Sequence, residues 1–131
     1  MIVHSILRNR PVFYIFLIWL CLFLYLFNSL WLKQHSEGFL WYLSVCYIND
    51  FLAPIVLLSI TGIALFISGR RMNRFWQVLL LTLAFGSFWE FGSFFISGTV
   101  FDPVDFVAYI AGGSLFWIVD IYRQPLRRIG A

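Results

Sequence analysis

What most constrains this chain is a set of four apolar runs at about 12–31, 50–68, 75–97 and 104–121, separated by short polar clusters. Each is close to the roughly 20 residues a helix needs to cross the hydrocarbon core of a bilayer. In water all four would have to be buried, and a chain of 131 residues cannot hide them, because small domains leave much of their surface exposed. The composition agrees: 62% hydrophobic and only 11% charged, against about 25% charged in soluble domains. Disorder is excluded by the 21% aromatic content, since disordered chains lack aromatics and carry excess charge. The expected fold is therefore all-α, a four-helix transmembrane bundle forming one integral membrane domain over 1–131. No repeat, low-complexity stretch or long linker divides it.

Arg8 and Arg10 precede the first run, as they would in a secretory signal. The run is longer than a signal core of about 7–15 residues, and no small-residue cleavage site follows it, so it reads as an uncleaved span. Pro11 suits a first helical turn, where its missing N–H costs nothing. The second hydrophobic stretch is interrupted. Residues 39–48 are too few to cross and are rich in Trp41, Tyr42 and Tyr47, after which Asn49-Asp50 offers a natural helix cap. A short interfacial helix before the second span is expected, since aromatic side chains favour the headgroup layer.

Orientation follows from the basic residues. Arg8, Arg10, Arg70, Arg71, Arg74, Arg123, Arg127 and Arg128 fall on one side and Lys33 alone on the other. The positive-inside rule places both termini in the cytoplasm. Basic clusters at the ends of apolar runs are a topology signal, so no nucleic-acid partner is expected.

The acids then sort by depth. Asp120 lies at the cytoplasmic end, three residues before Arg123, and reads as a surface pair. Glu37, Asp50, Asp102 and Asp105 lie at the outer side. Glu90 lies inside the third span, about 22 Å along the helix from Phe75. A carboxylate at that depth costs at least about 2.5–3.5 kcal/mol, so it must face other helices, water or a partner. Gly86, Glu90, Ser93 and Ser97 share one stripe, with Phe85, Phe88, Trp89, Phe94 and Phe95 left for lipid. Asp102, Asp105, Tyr109 and Gly112 share another, leading to the close-packing pair Gly112-Gly113. Asp50, Pro54, Thr61 and Ser68 mark the second span; Tyr14, Cys21, Tyr25 and Asn28 mark the first. Inward-facing seams would gather Asp50, Glu90, Asp102 and Asp105 into an outer acidic pocket with Asn49, Asn28 and Tyr109 nearby, and with Glu90 and Asp105 about 3–6 Å apart. Such seams also serve plain helix packing, and Asp102 and Asp105 could simply cap the fourth helix.

Catalysis is not expected. Aspartyl-protease motifs are missing, and the acids lack the Arg partners of a phosphate site. His4 and His35 lie on opposite sides, so neither a zinc site nor a Ser/His/Asp arrangement forms. Cys21 and Cys46 read as small hydrophobes. Neither metal nor cofactor is expected.

Tyr47-Ile48-Asn49-Asp50 opening one span, Glu90 within the next, and Phe101-Asp102-Pro103-Val104-Asp105 with Tyr109 and Gly112 opening the last resemble the VanZ-like family of small bacterial membrane proteins. The resemblance covers roughly 47–113. Ser93, Thr99-Val100 and Tyr109 stand where that family often has Gln, Arg and Asn. Its founder is linked to glycopeptide (teicoplanin) resistance, so the resemblance implies an envelope role.

An acid cluster without a buried cation either shares protons or receives a cation from elsewhere. Two functional expectations follow. In the first, a non-enzymatic membrane protein binds a cationic or polar group of a partner protein, lipid or envelope compound, as a subunit of a larger complex or a homo-oligomer. In the second, a small transporter component carries protons or cations through Glu90.

Overall fold

The computed structural model describes residues 9–99 and 102–123. Arg8, Arg127 and Arg128 of the basic tails, His4 and Phe101 of the loop motif lie outside the described residues. All regular structure among the described residues is helical. Helix α1 (Arg10–Phe27) continues through a π-helical turn, Asn28–Leu32, and a last turn, Lys33–His35. Helix α2 (Gly38–Cys46) is followed after Tyr47 by α3 (Ile48–Ile67), then α4 (Phe75–Ser97) and α5 (Pro103–Arg123). Among the described residues four stretches are long and apolar enough to cross a membrane: Arg10–His35, Gly38–Ile67, Phe75–Ser97 and Pro103–Arg123.

Local chemistry sets the helix ends. Pro11 occupies the first turn of α1. The Gln77 side chain accepts from the backbone N–H groups of Asn73 and Arg74 and so starts α4. Gly98, at φ +63°, ends it in the left-handed region that favours glycine. Asp102 Oδ1 accepts from the Val104 N–H at 2.9 Å and opens α5.

Helices α3 and α5 form the centre of the bundle. Helix α1 packs on α3, and α4 packs mainly on α5. The core is a continuous apolar cluster that includes Phe13, Leu17, Leu52, Ile55, Leu58, Val78 and Phe116. Outward faces are greasy throughout, with Trp19, Phe23, Phe88 and Phe95 among the exposed residues, as a helix in lipid requires.

Glycine decides where helices approach most closely. A Cβ on Gly112 would land on the Phe51 carbonyl oxygen and 2.8 Å from Pro54 Cγ, and one on Gly113 would meet Thr82. These neighbours let α5 lie against α3 and α4 at once, the small-residue contact that lipid-embedded helices use. The buried seams differ in part from the polar stripes. On α3 the buried residues are Leu52, Pro54, Ile55, Leu58, Ser59 and Gly62. Thr61 and Ser68 instead turn their hydroxyls onto the Leu57 and Ala64 carbonyls. A hydroxyl satisfied by its own helix has no need of the interior.

Candidate functional site

The site is built around Tyr109 on α5. Its ring is 1% exposed, lies against Gly86 of α4, and meets Phe106 edge-on at 5.7 Å. Glycine at 86 is what admits the ring, because a Cβ there would stand 2.6 Å from Tyr109 Cδ2. Held this way, the hydroxyl reaches Glu90 Oε1 at 3.1 Å and Asp50 Oδ1 at 3.3 Å. The Asp105 carboxyl lies close enough to that of Asp50 for the two to interact electrostatically. Three helices thus contribute one acid each: Asp50 from α3, Glu90 from α4 and Asp105 from α5. Measured from Ile67, Phe75 and Arg123 at the opposite end, Asp50, Glu90 and Tyr109 stand about 26, 22 and 21 Å up their helices. They occupy one level.

Hydrogen-bond arithmetic makes this cluster unusual. A phenol has one proton to donate, yet two carboxyls approach it. Carboxyls this near one another repel unless a proton or a cation offsets their charge. No Lys or Arg among the described residues pairs with Asp50, Glu90 or Asp105. Nor do three His, Cys, Asp or Glu side chains among the described residues converge as a metal-ligand set would. Pro54 adds a further acceptor: lacking an N–H, it leaves the Asp50 carbonyl without its helical donor.

The remaining sequence candidates divide. Asn49 bonds to Asn28 and not to the acids, its Oδ1 accepting from Asn28 Nδ2 at 3.3 Å. Asn28 opens the π turn, is fully buried, and also donates to the Ser44 carbonyl at 2.9 Å. Its Oδ1 is buried with no hydrogen-bond partner among the described residues, and π turns recur at functional positions. Asp102 does not join the cluster through a hydrogen bond; its carboxylate is engaged at the start of α5. The link from Glu90 to Asp50 runs through Tyr109, while Asp105 lies near Asp50.

Two openings lead from the acids toward the outer faces of the helices. Glu90 and Ser87 line a pocket of about 250 Å³ whose other walls are Phe91, Phe94, Phe95 and Phe106. Phe94 and Phe95, read from sequence as plain lipid-facing residues, are therefore also pocket walls. Asp50 and Asn49 head a larger groove of about 550 Å³ over α3, flanked by α1 and by Phe85 and Trp89 of α4.

A second polar cluster lies at the other end and corrects the reading of Asp120 and Arg123 as a surface pair. Their 2.9 Å contact exists, but both side chains are only 6% exposed. Tyr14 of α1 donates to the same Asp120 Oδ1 at 3.0 Å, and the Arg123 guanidinium lies 4.5 Å from the Phe13 ring centroid. Sequence reasoning missed this contact across 106 positions. The available signal was that a tyrosine and an acid sit inside apolar runs at the same end of the bundle. Here acid and base neutralise each other, so the cluster pins α1 to α5. Among the described residues the acids around Tyr109 have no such partner.

Compared with protein-family models, characterised proteins and solved structures, the chain matches none of them.

Proposed function

We propose that this chain is a small multi-pass inner-membrane protein without catalytic activity whose outer acid cluster binds a cationic group. The observation that carries the reading is the Tyr109 hydroxyl set between Asp50 and Glu90, with Asp105 close to Asp50 and no basic side chain among the described residues to offset the three acids. A bound cation would supply the missing charge. The phenylalanine walls around Glu90 favour an organic ammonium over a metal ion, because aromatic faces attract cations that part easily with water. Its source is a lipid, an envelope compound or a partner subunit, or another copy of this chain. On this reading the chain is a distant relative of the VanZ-like family. The basic tails and the Arg70–Arg74 connection face the cytoplasm, and α2, with Trp41 and Tyr42, lies in the outer headgroup layer.

Purified protein tests this directly. Ethylammonium chloride should raise the melting temperature of the wild type beyond the effect of sodium chloride at equal strength, and Glu90→Gln should abolish the difference. Equal responses to the two salts, or an undiminished response in the variant, refute the reading.

One observation favours a second reading. The Tyr109 hydroxyl links Glu90, in one opening, to Asp50, at the head of the other; a phenol between two carboxyls is a proton relay in form. Proton or cation flux through reconstituted liposomes that disappears in both Glu90→Gln and Tyr109→Phe would replace binding by transport.

A further inference from the structure

The groove headed by Asp50 has the shape of an amphiphile. Its floor is α3 from Asn49 to Ile60, including Ala53, Val56 and Leu57; its walls are Cys21, Leu22 and Tyr25 of α1 and Phe85 and Trp89 of α4. Helices α1 and α4 both pack on α3 but scarcely touch each other, which leaves the groove open along its length to whatever surrounds the bundle. From Asp50 to Ile60 it descends about 15 Å. Polar groups (Asn49, Asp50, Tyr25 and the indole N–H of Trp89) occur toward its upper end, and below them the lining is apolar apart from the Cys21 thiol. A soluble cation would use the head and ignore the rest. A phospholipid would fit poorly, because its phosphate stands between nitrogen and chains and would face the acids. Charge and shape are both matched by a nitrogen cation joined directly to a long alkyl chain.

We propose that the groove binds a single-chain alkylammonium amphiphile drawn from the outer leaflet, with its ammonium on Asp50 and its chain lying along α3 between α1 and α4. The inference rests on the cation-binding reading of the acid cluster and adds the chain that the cation must carry. A chain already in lipid gains little hydrophobic free energy by entering a protein groove. Selectivity therefore comes from the charge at the head together with the fit along α3, and it shows as location as well as affinity.

The test uses the whole protein in phosphatidylcholine nanodiscs with stearylamine carrying a mid-chain diazirine, and the matching alcohol as its uncharged control. After photolysis, peptide mapping should place the amine's adducts on the groove segments 21–25, 53–60 and 85–89, with the alcohol spread over all lipid-facing helices. Asp50→Asn should scatter the amine's adducts like the alcohol's. Ala53→Phe, which fills the groove floor, should displace them while leaving the response to ethylammonium intact; Ile60→Trp serves the same end should Ala53→Phe fail to fold. Scattered amine adducts in a wild-type protein that still responds to ethylammonium overturn the groove proposal and leave the cation site standing. Scattered adducts with no ethylammonium response overturn both.

Discussion

Replacing Gly86 by alanine tests the acid cluster without altering any polar group. The added Cβ would stand 2.6 Å from Tyr109 Cδ2 and 3.0 Å from Cε2, where carbon atoms in contact prefer about 3.5–4.0 Å. The ring must retreat by about 1 Å, and at 1% exposure it has no solvent-filled space to enter. The hydroxyl is rigidly attached to that ring. A shift of this size takes contacts of 3.1 and 3.3 Å past the roughly 3.5 Å limit of a hydrogen bond. The expected cost combines overpacking, about 1–3 kcal/mol, with loss of a hydrogen bond to a charged group, about 1.5–3 kcal/mol. A double-mutant cycle separates them. In a Tyr109→Phe background the ring still collides but the hydroxyl is gone, so Gly86→Ala should cost about 1.5–3 kcal/mol less there than in the wild type. Unfolding in bicelles by steric trapping measures both. Gly92→Ala is the control on the same helix: nothing lies within 4 Å of its Cβ position, so it should be neutral or gain about 0.5–1 kcal/mol. A coupling below about 0.5 kcal/mol would mean that the Tyr109 hydroxyl is not held by the acids, and the reasoning about the cluster would fail.

Gly112→Ala should be worse than Gly86→Ala, at about 3 kcal/mol or more, because its Cβ meets the Phe51 backbone carbonyl, which cannot rotate away as a side chain can; an unfolding free energy within error of wild type would show that α3 and α5 are not held so close. At the other end, Asp120→Ala should cost about 3–5 kcal/mol by removing the buried carboxylate that Tyr14 and Arg123 share, whereas Tyr14→Phe should cost only about 1 kcal/mol. The reverse order in the same unfolding assay would return the pair to a surface role. For orientation, a cysteine at Glu37 in a variant lacking Cys21 and Cys46 should react with impermeant maleimide in intact cells, and one at Arg71 only after lysis; the opposite pattern would invert the topology.

The helices themselves were legible in the residues, since an apolar run of spanning length has one way to satisfy its backbone in lipid, and that is to hydrogen-bond internally. The depth of Glu90 follows equally from counting along such a helix. Polar stripes were a weaker guide to helix rotation. Thr61 and Ser68 bond within their own helix, Asp102 serves the start of α5, and the buried face of α3 is mostly aliphatic.

By itself the sequence determined an all-helical chain with four membrane-length stretches, and it narrowed the chemistry to a few acids near one level. Only the tertiary structure decided that Tyr109 is the meeting point of Asp50 and Glu90, and that Asp120 is buried against Tyr14. The reason is one of range. Spacing along a helix fixes height and face through bonds to residues four positions away, but which faces meet depends on close approaches such as Gly112 against Phe51 and Gly86 against Tyr109. Those contacts join residues far apart in the chain, and no local pattern records them.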